Sequence, residues 1–400
     1  MKILMVNKFL HPNGGSETYI FKLGNELKRQ GHEVEYFGME HEGRIVGNHA
    51  QVYTRNMDFH TGKLQKLLYP LKIIYSGEAA KKMRKVLEAF KPDVVHLNNF
   101  NFQLTPSIIY AVKKYERKCK KKIKLVYTAH DSQLVCPNHL MQNPVTLACC
   151  DACLKHGAFQ CARRKCIHGS RIKSLLGSFE MVIYKKLRTY QNLDTIICPS
   201  QFLKEKLDTD SVLCKKTIVL RNFVDQRIRP ELIPKQNYVL YFGRFSQEKG
   251  INTLLTVCRE LSDISFHFAG SGPMEEEINK ISNIKLCGFL EGDALFREIA
   301  GARFVVFPSE CYENCPFAVM EAQMCHTPVL GSDLGGIPEL IEEGVTGELF
   351  ESGNVSLLTQ KIKSLWEQPD RTERYSGNCK NVKFDCVEEY TKKLLKLYAY

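Results

Sequence analysis

The chain has 400 residues, enough for two or three domains, and 44% of them are hydrophobic, which excludes a disordered protein. Its formal net charge of +12 is divided unevenly. Residues 1–225 carry 37 Lys and Arg against 19 Asp and Glu, whereas residues 226–400 carry 19 against 25. The basic half predicts an anionic partner: nucleic acid, an anionic membrane surface or a phosphorylated substrate.

The sequence contains no apolar run that approaches the roughly 18–20 residues of a membrane span. Its amino-terminal segment lacks the long apolar region and the small-residue cleavage site of a signal peptide. We therefore expect a cytoplasmic protein. In that reducing compartment the 16 cysteines are expected to be thiols or metal ligands rather than disulfides.

Short β-branched runs alternate with amphipathic stretches from the first residues onward. An apolar run at 2–7, a glycine pair and an amphipathic stretch at 16–30 predict a strand, a loop and a helix. Further strands are predicted at 33–38, 93–98, 124–129 and 194–199. This β-α-β rhythm predicts a parallel sheet with helices on both faces.

The rhythm stops at 221–236, a polar segment with two prolines that is interpreted as a linker. It restarts with a helix predicted at 250–261 and strands predicted at 238–243, 264–269, 284–287, 303–308 and 328–331. Two doubly wound α/β domains in tandem follow, at 1–222 and 223–383, with a terminal amphipathic helix at 384–400. Such sheets bind ligands at the carboxyl ends of their strands, so two facing sheets would place two ligands in one cleft.

Two strand-to-helix loops carry residues suited to phosphate. Gly14 and Gly15 let backbone N–H groups approach a phosphate at a helix N-terminus, although a tight turn with Ser16 as the N-cap is the alternative. In the corresponding loop of the second domain, Arg244 and Lys249 can clamp a diphosphate and stabilise its departing charge. Solvated surface charge is the alternative interpretation of these two cations.

Two carboxylates in the second domain, Glu313 and Glu321, are separated by seven residues. A helix that begins near Pro316 leaves Glu313 in the preceding loop and places Glu321 in an apolar stretch, a poor environment for an unpaired carboxylate. The two acids can bind sugar and ribose hydroxyls. For Glu313 the alternative is a helix cap, and Glu310 is a competing first acid.

His130 follows a predicted strand of the first domain, at the edge of the sheet where ligands bind. Its imidazole can hydrogen-bond a substrate or take a proton near neutral pH. A structural loop histidine is the alternative.

Four segments of the second half, in this order and spacing, resemble family 4 of the retaining nucleotide-sugar glycosyltransferases: 243–250, 269–273, the Glu-x7-Glu element and 328–339. The resemblance covers nearly the whole chain and is to members that make bacterial polysaccharides such as lipopolysaccharide and capsule. It implies the GT-B fold, in which two Rossmann-like domains face a central cleft and a C-terminal helix crosses back to the first domain.

The resemblance also implies a role for each candidate residue. Arg244 and Lys249 would bind the donor diphosphate, and Gly14 and Gly15 would close on the phosphates. Glu313 would contact the donor sugar, and Glu321 would bind the ribose. His130 would have a catalytic position beside the donor sugar and the acceptor. Phe289 and Leu290 would lie near the base.

One departure from the family pattern affects the sugar contacts. Many members carry Glu-x-Phe-Gly where this chain has ENCP at 313–316. Because proline has no N–H, backbone contacts to the donor sugar or phosphate are expected from Cys315, Phe317 or Ala318. The family transfers sugar from a nucleotide donor, here a UDP- or GDP-sugar, with retained configuration and without a catalytic metal, and no DxD metal motif lies near the expected cleft.

The stretch at 136–168 holds six of the cysteines within an insertion after His130. A structural zinc ion bound by Cys150, Cys153, Cys161 and Cys166 is one interpretation, because Cys-x2-Cys has zinc-ligand spacing and a long loop needs a stabilising link. Free thiols, or a disulfide formed during purification, are the alternatives.

Basic runs at 81–85, 113–124, 163–171 and 185–188 all lie in the first domain, which the resemblance makes the acceptor domain. Many relatives use saccharide or polyprenyl-diphosphate-linked acceptors, so we expect peripheral association with the inner face of the cytoplasmic membrane. The rival hypotheses are a nucleotide-sugar 2-epimerase of the same fold and a nucleic-acid-binding protein. No RNA-recognition or helix-turn-helix pattern supports the second rival, so nucleic acid is not expected as a partner.

Overall fold

The computed structural model of the chain describes residues 1–56, 74–143, 145–224 and 233–399. These residues divide into two units. Unit 1 runs from Met1 to Arg221, apart from Leu147–Cys149, and takes up the C-terminal residues from Val387 onward; unit 2 comprises Asn222–Cys386 and Leu147–Cys149. Half of the predicted linker, at 225–232, lies outside the described residues.

Unit 1 is built on a parallel sheet with the strand order β2-β1-β3-β4-β5-β6. Its first strand in the sequence is buried from Ile3 to Val6 and pairs with strands on both sides, so that Ile3 lies opposite Val34 and Val94. The strands are β1 (Lys2–Val6), β2 (Glu33–Phe37), β3 (Val94–Leu97), β4 (Lys124–Thr128), β5 (Thr195–Cys198) and β6 (Thr217–Val219). The last of these has only three residues and is too short to be recognised in the sequence.

The helices of unit 1 bury apolar residues three and four positions apart, as the amphipathic pattern predicts. In the first helix these residues are Tyr19, Ile20, Leu23 and Leu27. The helices are α1 (Gly15–Arg29), α2 (Gly77–Phe90), α3 (Ser107–Cys119), α4 (Ala152–His156), α5 (Phe159–Arg164), α6 (Arg171–Lys186) and α7 (Gln201–Asp208), with a 3₁₀ turn at Thr189–Asn192.

The order of the strands reverses between β1 and β3, since β1 connects outward to β2 and the chain then returns to the other side of β1. Right-handed crossovers put the helices on both faces of such a sheet, as predicted. The reversal also opens a crevice at the carboxyl ends of β1 and β3, where open α/β sheets bind ligands. The loops that contain Asn7 and Asn98 flank this crevice.

The last helix, α14 (Val387–Ala399), belongs to unit 1 and packs against α1. It begins three residues later than the sequence predicted. Its buried residues include Tyr390, Leu394 and Tyr398 at helical spacing, so one face of the helix is covered. The expectation that a C-terminal helix returns to the first half of the chain is confirmed.

Unit 2 repeats the architecture with the strand order β12-β11-β10-β7-β8-β9. Its strands are β7 (Val239–Arg244), β8 (Phe266–Ser271), β9 (Ile284–Gly288), β10 (Phe304–Phe307), β11 (Val329–Ser332) and β12 (Gly347–Phe350). Its helices are α8 (Ile251–Glu260), α9 (Glu275–Ile278), α10 (Gly292–Gly301), α11 (Phe317–Met324), α12 (Val355–Glu367) and α13 (Pro369–Cys379). Here the order reverses between β7 and β10, so the crevice of unit 2 lies between the loops that follow these two strands.

The predicted α/β class with two doubly wound sheets is therefore confirmed. Among the described residues, no helix combines the length and the apolar character needed to cross a membrane.

Candidate functional site

Strand β7 ends at Arg244, at the crevice of unit 2. The Arg244 side chain is exposed, while its backbone carbonyl accepts a hydrogen bond from the Tyr241 hydroxyl at 2.8 Å. Gly270 on the neighbouring strand has a φ of 148°, and an added Cβ would lie 1.9 Å from the Gly243 carbonyl oxygen. The glycines of the 269–273 segment thus allow the ends of β7 and β8 to approach closely.

A short 3₁₀ turn, Gln247–Lys249, carries Lys249 to the loop after β10. The next residue, Gly250, has a left-handed φ of 74°, and an added Cβ would lie 1.9 Å from the Pro308 carbonyl oxygen. Glycine is therefore required both by the backbone conformation and by the close contact. The two loops that flank the crevice touch each other at this point.

Lys249 and Glu313 form a direct ion pair across the two loops. Both side chains are largely shielded, with 29% and 17% of their side-chain surfaces exposed. Burial acts to lower the pKa of Lys249, but the Glu313 carboxylate and other nearby anionic groups raise it above its ordinary value overall. The Ser309 hydroxyl also donates to Glu313 Oε1, at 3.3 Å. Lys249 is therefore held as a cation, and its contact with Glu313 joins the two loops.

The loop after β11 supports Glu313 from behind. The Gly336 N–H donates to the Glu313 carbonyl at 2.7 Å. Gly335 has a φ of 64°, and a Cβ there would lie 2.5 Å from the same carbonyl oxygen. These contacts give a structural reason for the glycine pair in the 328–339 segment, because any larger residue would displace the Glu313 backbone.

Helix α11 begins at Phe317, and Pro316 occupies the N-cap in an extended conformation. The prediction that a helix begins near Pro316 is therefore confirmed, with Pro316 at the N-cap rather than at the first helical position. Phe317 and Ala318 lie in the first turn, whose N–H groups have no partner within the helix, and the Cys315 carbonyl accepts from Asn222 Nδ2 at 3.0 Å. Glu321 lies one turn further along the helix and is partly exposed.

Glu310, the competing acid, has a structural position. The Thr253 hydroxyl on α8 donates to Glu310 Oε1 at 2.5 Å, and the Glu310 N–H donates to the Glu248 carbonyl at 3.0 Å. These bonds tie the loop after β10 to the start of α8. Of the two acids, Glu313 is the one in contact with Lys249.

Phe289 and Leu290 follow the end of β9. Phe289 is one of the most exposed large apolar side chains described, with 72% of its surface accessible, and Leu290 packs partly against the core of unit 2. An exposed ring at the carboxyl end of a strand can stack on a planar ligand.

In unit 1 the structure places Gly14 at the N-cap of α1 and Gly15 at its first position. Ser16 therefore lies inside the first turn, and its predicted alternative role as the N-cap is wrong. A buried carboxylate that the sequence did not single out, Glu17, accepts from Asn7 Nδ2 at 2.8 Å and from the Ser16 hydroxyl at 2.9 Å. This anion lies in the same helix turn as the two glycines.

His130 lies just beyond β4, and its Nε2 is 2.9 Å from Asn98 Oδ1. Asn98 directs its Nδ2 toward the carbonyls of Val6 and His96, at 3.4 Å each, so its oxygen faces the imidazole. Nε2 of His130 must then carry the proton, and Nδ1 is the acceptor nitrogen. Burial lowers the pKa of His130 to about 3, so the ring is neutral at physiological pH.

A buried hydrogen-bond network lies beneath His130, whose ring meets the Tyr19 ring edge-on at 5.0 Å. Tyr19 Oη is 2.8 Å from Tyr390 Oη and 3.3 Å from Thr128 Oγ1. His96 bridges Thr128 and α14, with Nε2 2.7 Å from Thr128 Oγ1 and Nδ1 2.6 Å from the Tyr398 hydroxyl. Periodicity identified these tyrosines as apolar core positions but gave no signal for their polar contacts.

The four predicted zinc ligands do not form one group. Cys153 contacts Cys136, Cys161 contacts Cys166, and Cys150 Sγ accepts from the Arg164 guanidinium at 3.4 Å. Across the described parts of the chain, one trio of metal-binding side chains has all its ligand atoms within 4.8 Å of one another, namely His267, Cys287 and Glu298. The ligand set expected from the sequence is thus not assembled, because α5 brings a positive charge rather than a thiol to Cys150.

Two family profiles together match residues 13–382 of the chain. "Glycosyltransferase Family 4" matches residues 13–227, more than half of the chain, and "Glycosyl transferases group 1" matches residues 224–382. The first match begins after β1 and the second ends before α14, and the other strands and helices of the two units fall within the matched residues.

The similar proteins fall into the same group. The chain is 30% identical over 205 residues to "Uncharacterized glycosyltransferase MJ1178" of Methanocaldococcus jannaschii. The matched region covers 50% of this chain and 57% of that protein. It is 24% identical to an "Uncharacterized 42.6 kDa protein in cps region" of Klebsiella pneumoniae, over 85% of this chain and 87% of that one.

The structure of Anabaena HepE in complex with UDP and glucose is similar in fold, with a TM-score of 0.67, 18% identity and coverage of 100% of this chain and 99% of that chain. The fold is the GT-B fold that the sequence predicted. By the profile matches and the shared architecture, the chain belongs to Glycosyltransferase Family 4, a family of transferase enzymes.

Proposed function

We propose that the protein transfers a sugar from a nucleotide-sugar donor to an acceptor with retained anomeric configuration and without a catalytic metal. The observation that carries this function is the Lys249–Glu313 ion pair at the crevice of unit 2, where β7 ends at the exposed Arg244. At this edge the cation can bind the negative charge of a diphosphate, and the carboxylate can accept hydrogen bonds from sugar hydroxyls.

Unit 2 binds the donor in this scheme. Arg244 and Lys249 hold the diphosphate, and backbone N–H groups of Cys315, Phe317 or Ala318, at the start of α11, contact the sugar or a phosphate oxygen. Glu321 binds the ribose. Phe289, with Leu290, lies against the base of a UDP- or GDP-sugar; the UDP bound by the Anabaena protein of the same fold supports the first of these two.

The transfer is a displacement on one face of the donor sugar. The bond from the anomeric carbon to the diphosphate oxygen breaks, and the bond to the acceptor oxygen forms on the same face. The proton of the acceptor hydroxyl passes to the departing diphosphate oxygen, so charge balances without an external base. Arg244 and Lys249 stabilise the diphosphate as its negative charge grows, and Glu313 orients the sugar.

Unit 1 binds the acceptor. His130 is neutral and its Nδ1 is an acceptor nitrogen, so it accepts a hydrogen bond from a sugar hydroxyl rather than donating a proton. Gly14 and Gly15 approach a phosphate at the start of α1. The acceptor is a saccharide or a polyprenyl-diphosphate-linked saccharide, and the similarity to a protein of a cps region supports a role in surface polysaccharide synthesis at the inner face of the cytoplasmic membrane.

The test measures donor binding and transfer by the full chain. Calorimetry with UDP-, GDP- and ADP-sugars identifies the nucleotide, and NMR of the glycoside reports the anomeric configuration. Arg244→Gln and Lys249→Met are expected to lower kcat/KM by about 100-fold or more. Arg259→Gln and Lys280→Met, exposed cations on helices or loops of the same unit, serve as controls and should leave it unchanged.

Two outcomes would contradict the scheme. Turnover that is unchanged in Arg244→Gln and Lys249→Met would remove the diphosphate role of these cations. Formation of an epimer from the donor alone, without transfer of label to an acceptor, would replace the transferase by the epimerase of the same fold.

A further inference from the structure

Helix α6 of unit 1 buries small and polar side chains and exposes apolar ones, the reverse of the arrangement in α1. Its buried residues are Ser174, Gly177, Ser178 and Tyr184. Three large apolar side chains lie on the opposite face, since residues three and four positions apart share one side of a helix. These are Ile172, Leu175 and Phe179, which are 72%, 41% and 44% exposed.

The contacts of the buried face fix this orientation of α6. The Ser174 hydroxyl accepts a hydrogen bond from the Ile167 N–H at 2.9 Å, and the Ser178 hydroxyl lies 2.9 Å from the Ala158 carbonyl oxygen. An added Cβ at Gly177 would lie 2.5 Å from Cδ1 of Ile167. Because the helix approaches its neighbours this closely through small residues, it cannot rotate to bury its apolar face without losing these contacts.

The exposed side chains form a stripe that runs along the helix and onto its neighbour. Partly exposed apolar residues of α6 fill the stripe, at Leu176, Val182 and Ile183. On α5, which packs against α6, the exposed Phe159 ring meets the Phe179 ring edge-on at 5.3 Å. A contiguous apolar patch with a polar rim marks an interaction surface.

The rim of this stripe is positively charged. Arg171 and Lys173 are exposed on its two sides at the start of α6, and Lys186 is exposed at its end. The neighbouring α5 and the residue after it add the exposed cations Arg163 and Lys165. The one acidic residue of α6 is Glu180. Burial raises the pKa of Glu180 to about 8, so this carboxyl adds little negative charge near neutral pH.

These charges select among the occupants that an apolar face could have. In a symmetric dimer the same patch meets its own copy, which would bring the like charges of Arg171, Lys173 and Lys186 together. An anionic bilayer offers an apolar interior below a layer of negative phosphates. A helix with apolar residues on one side and cations beside them fits that arrangement when it lies in the plane of the bilayer surface.

We propose that α6 lies in the interface of an anionic bilayer, with Ile172, Leu175 and Phe179 inserted and the flanking cations at the lipid phosphates. The inference rests on the proposed function in one respect: a lipid-linked acceptor brings the protein to a membrane. Insertion of three side chains is a weak interaction by itself. We therefore expect binding to require the cations as well and to remain sensitive to salt.

The first experiment measures binding of the full chain to vesicles of phosphatidylglycerol and phosphatidylcholine in equal parts, at low salt. Leu175→Gln with Phe179→Gln leaves the charge unchanged and is expected to lower the affinity by about 10-fold or more. Ile45→Gln with Val219→Gln, exposed apolar residues elsewhere in unit 1, is the matched control and should bind normally. Equal affinity in the two double variants would overturn the proposal, and circular dichroism checks that both are folded.

The second experiment reports insertion directly. The chain has a single tryptophan, Trp366, which lies in unit 2. In a Trp366→Phe background, Phe179→Trp puts one indole on the stripe. Vesicles should shift its emission to shorter wavelength, and lipids brominated along their acyl chains should quench it. Unchanged emission in protein that sediments with vesicles would show binding by charge alone, and short-wavelength emission before vesicles are added would show that another part of the chain covers the stripe; either result overturns the proposal.

Two further measurements separate this surface from its rivals and from the proposed function. Analytical ultracentrifugation should show the same molecular mass for the natural chain and for Leu175→Gln with Phe179→Gln. A dimer that this double variant abolishes would assign the stripe to a second copy and overturn the bilayer. Calorimetry with UDP and GDP should give equal nucleotide binding in both proteins. Absent vesicle binding with normal nucleotide binding overturns the α6 surface alone, whereas absent nucleotide binding in the natural chain counts against the proposed function.

Discussion

Glu313 is a carboxylate whose function depends on one neighbour. Its side chain contacts Lys249, and its carbonyl is held by the Gly336 N–H at 2.7 Å. Removal of the Glu313 charge would leave Lys249 half-buried without its anion and would remove a sugar ligand. The rest of the loop would keep its backbone contacts.

We expect Glu313→Gln to lower kcat by about 100-fold with a smaller change in the dissociation constant of the nucleotide, because the lost interaction acts on the sugar. Steady-state kinetics and calorimetry measure the two quantities. Glu342→Gln, an exposed acid of the same unit, is the control. An equal loss in nucleotide affinity and in kcat/KM, with kcat unchanged, would contradict this assignment.

Asp131, the residue after His130, titrates in an unusual range. Burial raises its pKa to about 6. Three weaker influences lower the pKa: a hydrogen bond from the Gln133 N–H, the charge of Lys8 and a hydrogen bond from Asn101. The folded state therefore binds the proton more tightly than the unfolded state does. The free energy of unfolding contributed by this group is highest at low pH and falls as pH rises from about 4 to about 6.

Asp131→Asn cannot ionise, so it is expected to be more stable than the natural chain at pH 8, by up to about 3 kcal/mol, and nearly equal to it at pH 4. Urea unfolding of both proteins at the two pH values measures the difference. A stability difference that does not change between pH 4 and pH 8 would show that Asp131 titrates normally.

At the scale of elements, α14 is joined to unit 1 by two tyrosine hydroxyls that differ in their partners. Tyr398 bonds to a nitrogen of the buried His96, whereas Tyr390 bonds to Tyr19, whose hydroxyl also reaches Thr128. Loss of the Tyr398 hydroxyl leaves a buried nitrogen of His96 without this partner. After loss of the Tyr390 hydroxyl, Tyr19 still has Thr128 as a hydrogen-bond partner.

We therefore expect Tyr398→Phe to reduce the free energy of unfolding of the protein by about 1–3 kcal/mol, and Tyr390→Phe to reduce it less. Equilibrium unfolding in urea, followed by circular dichroism, tests the order. Equal losses in both variants would mean that α14 is held by its apolar face alone.

The two loops of the unit 2 crevice depend on one close contact. Gly250 and Gly344 have nearly the same φ, 74° and 75°, but only at Gly250 would an added Cβ meet another atom, the Pro308 carbonyl oxygen. Comparing alanine substitutions at Gly250 and Gly344 therefore distinguishes the effect of backbone strain from the effect of the contact between the loops.

Gly250→Ala is expected to lower nucleotide affinity by about 10-fold or more and to destabilise the protein, whereas Gly344→Ala should cost about 1 kcal/mol of stability and leave affinity unchanged. Calorimetry and thermal unfolding of both variants supply the values. Affinity that is unchanged in Gly250→Ala would show that the two loops need not touch.

At the scale of the whole molecule, positive charge is concentrated in the half that contains unit 1. Exposed lysines at the end of α3, including Lys120 and Lys122, lie in the densest of the basic runs. Each cation near an anionic bilayer contributes about 1 kcal/mol at low salt, and added salt screens this attraction.

We expect the protein to sediment with phosphatidylglycerol-containing vesicles at low salt and to be released at about 0.5 M salt. Lys120→Glu with Lys122→Glu should weaken sedimentation, whereas Lys280→Glu with Lys285→Glu, exposed lysines of unit 2, should not. Binding that is absent at low salt, or equal in both double variants, would contradict membrane association through this run.

Much of the architecture could be predicted from local pattern. Buried parallel strands such as Lys2–Val6 and Phe304–Phe307 are short apolar runs. Helices such as Gly15–Arg29 repeat apolar residues at helical spacing. Both patterns can be recognised in the sequence. The strands Thr217–Val219 and Gly347–Phe350 lie at sheet edges. The first has only three residues and the second begins with a glycine and an acid, so the sequence carries too weak a signal for either.

The sequence by itself determined the two halves, their charge, and the loops that carry Arg244, Lys249, Glu313 and His130, because strand-loop-helix order and residue type are local properties. The tertiary structure decided which of these groups meet. It paired Lys249 with Glu313 rather than Glu310, made His130 neutral through burial, and placed Asn98 where its amide oxygen fixes the tautomer of the His130 ring. Such contacts join positions far apart in the chain, and burial sets their charge states, so spacing along the sequence cannot specify them.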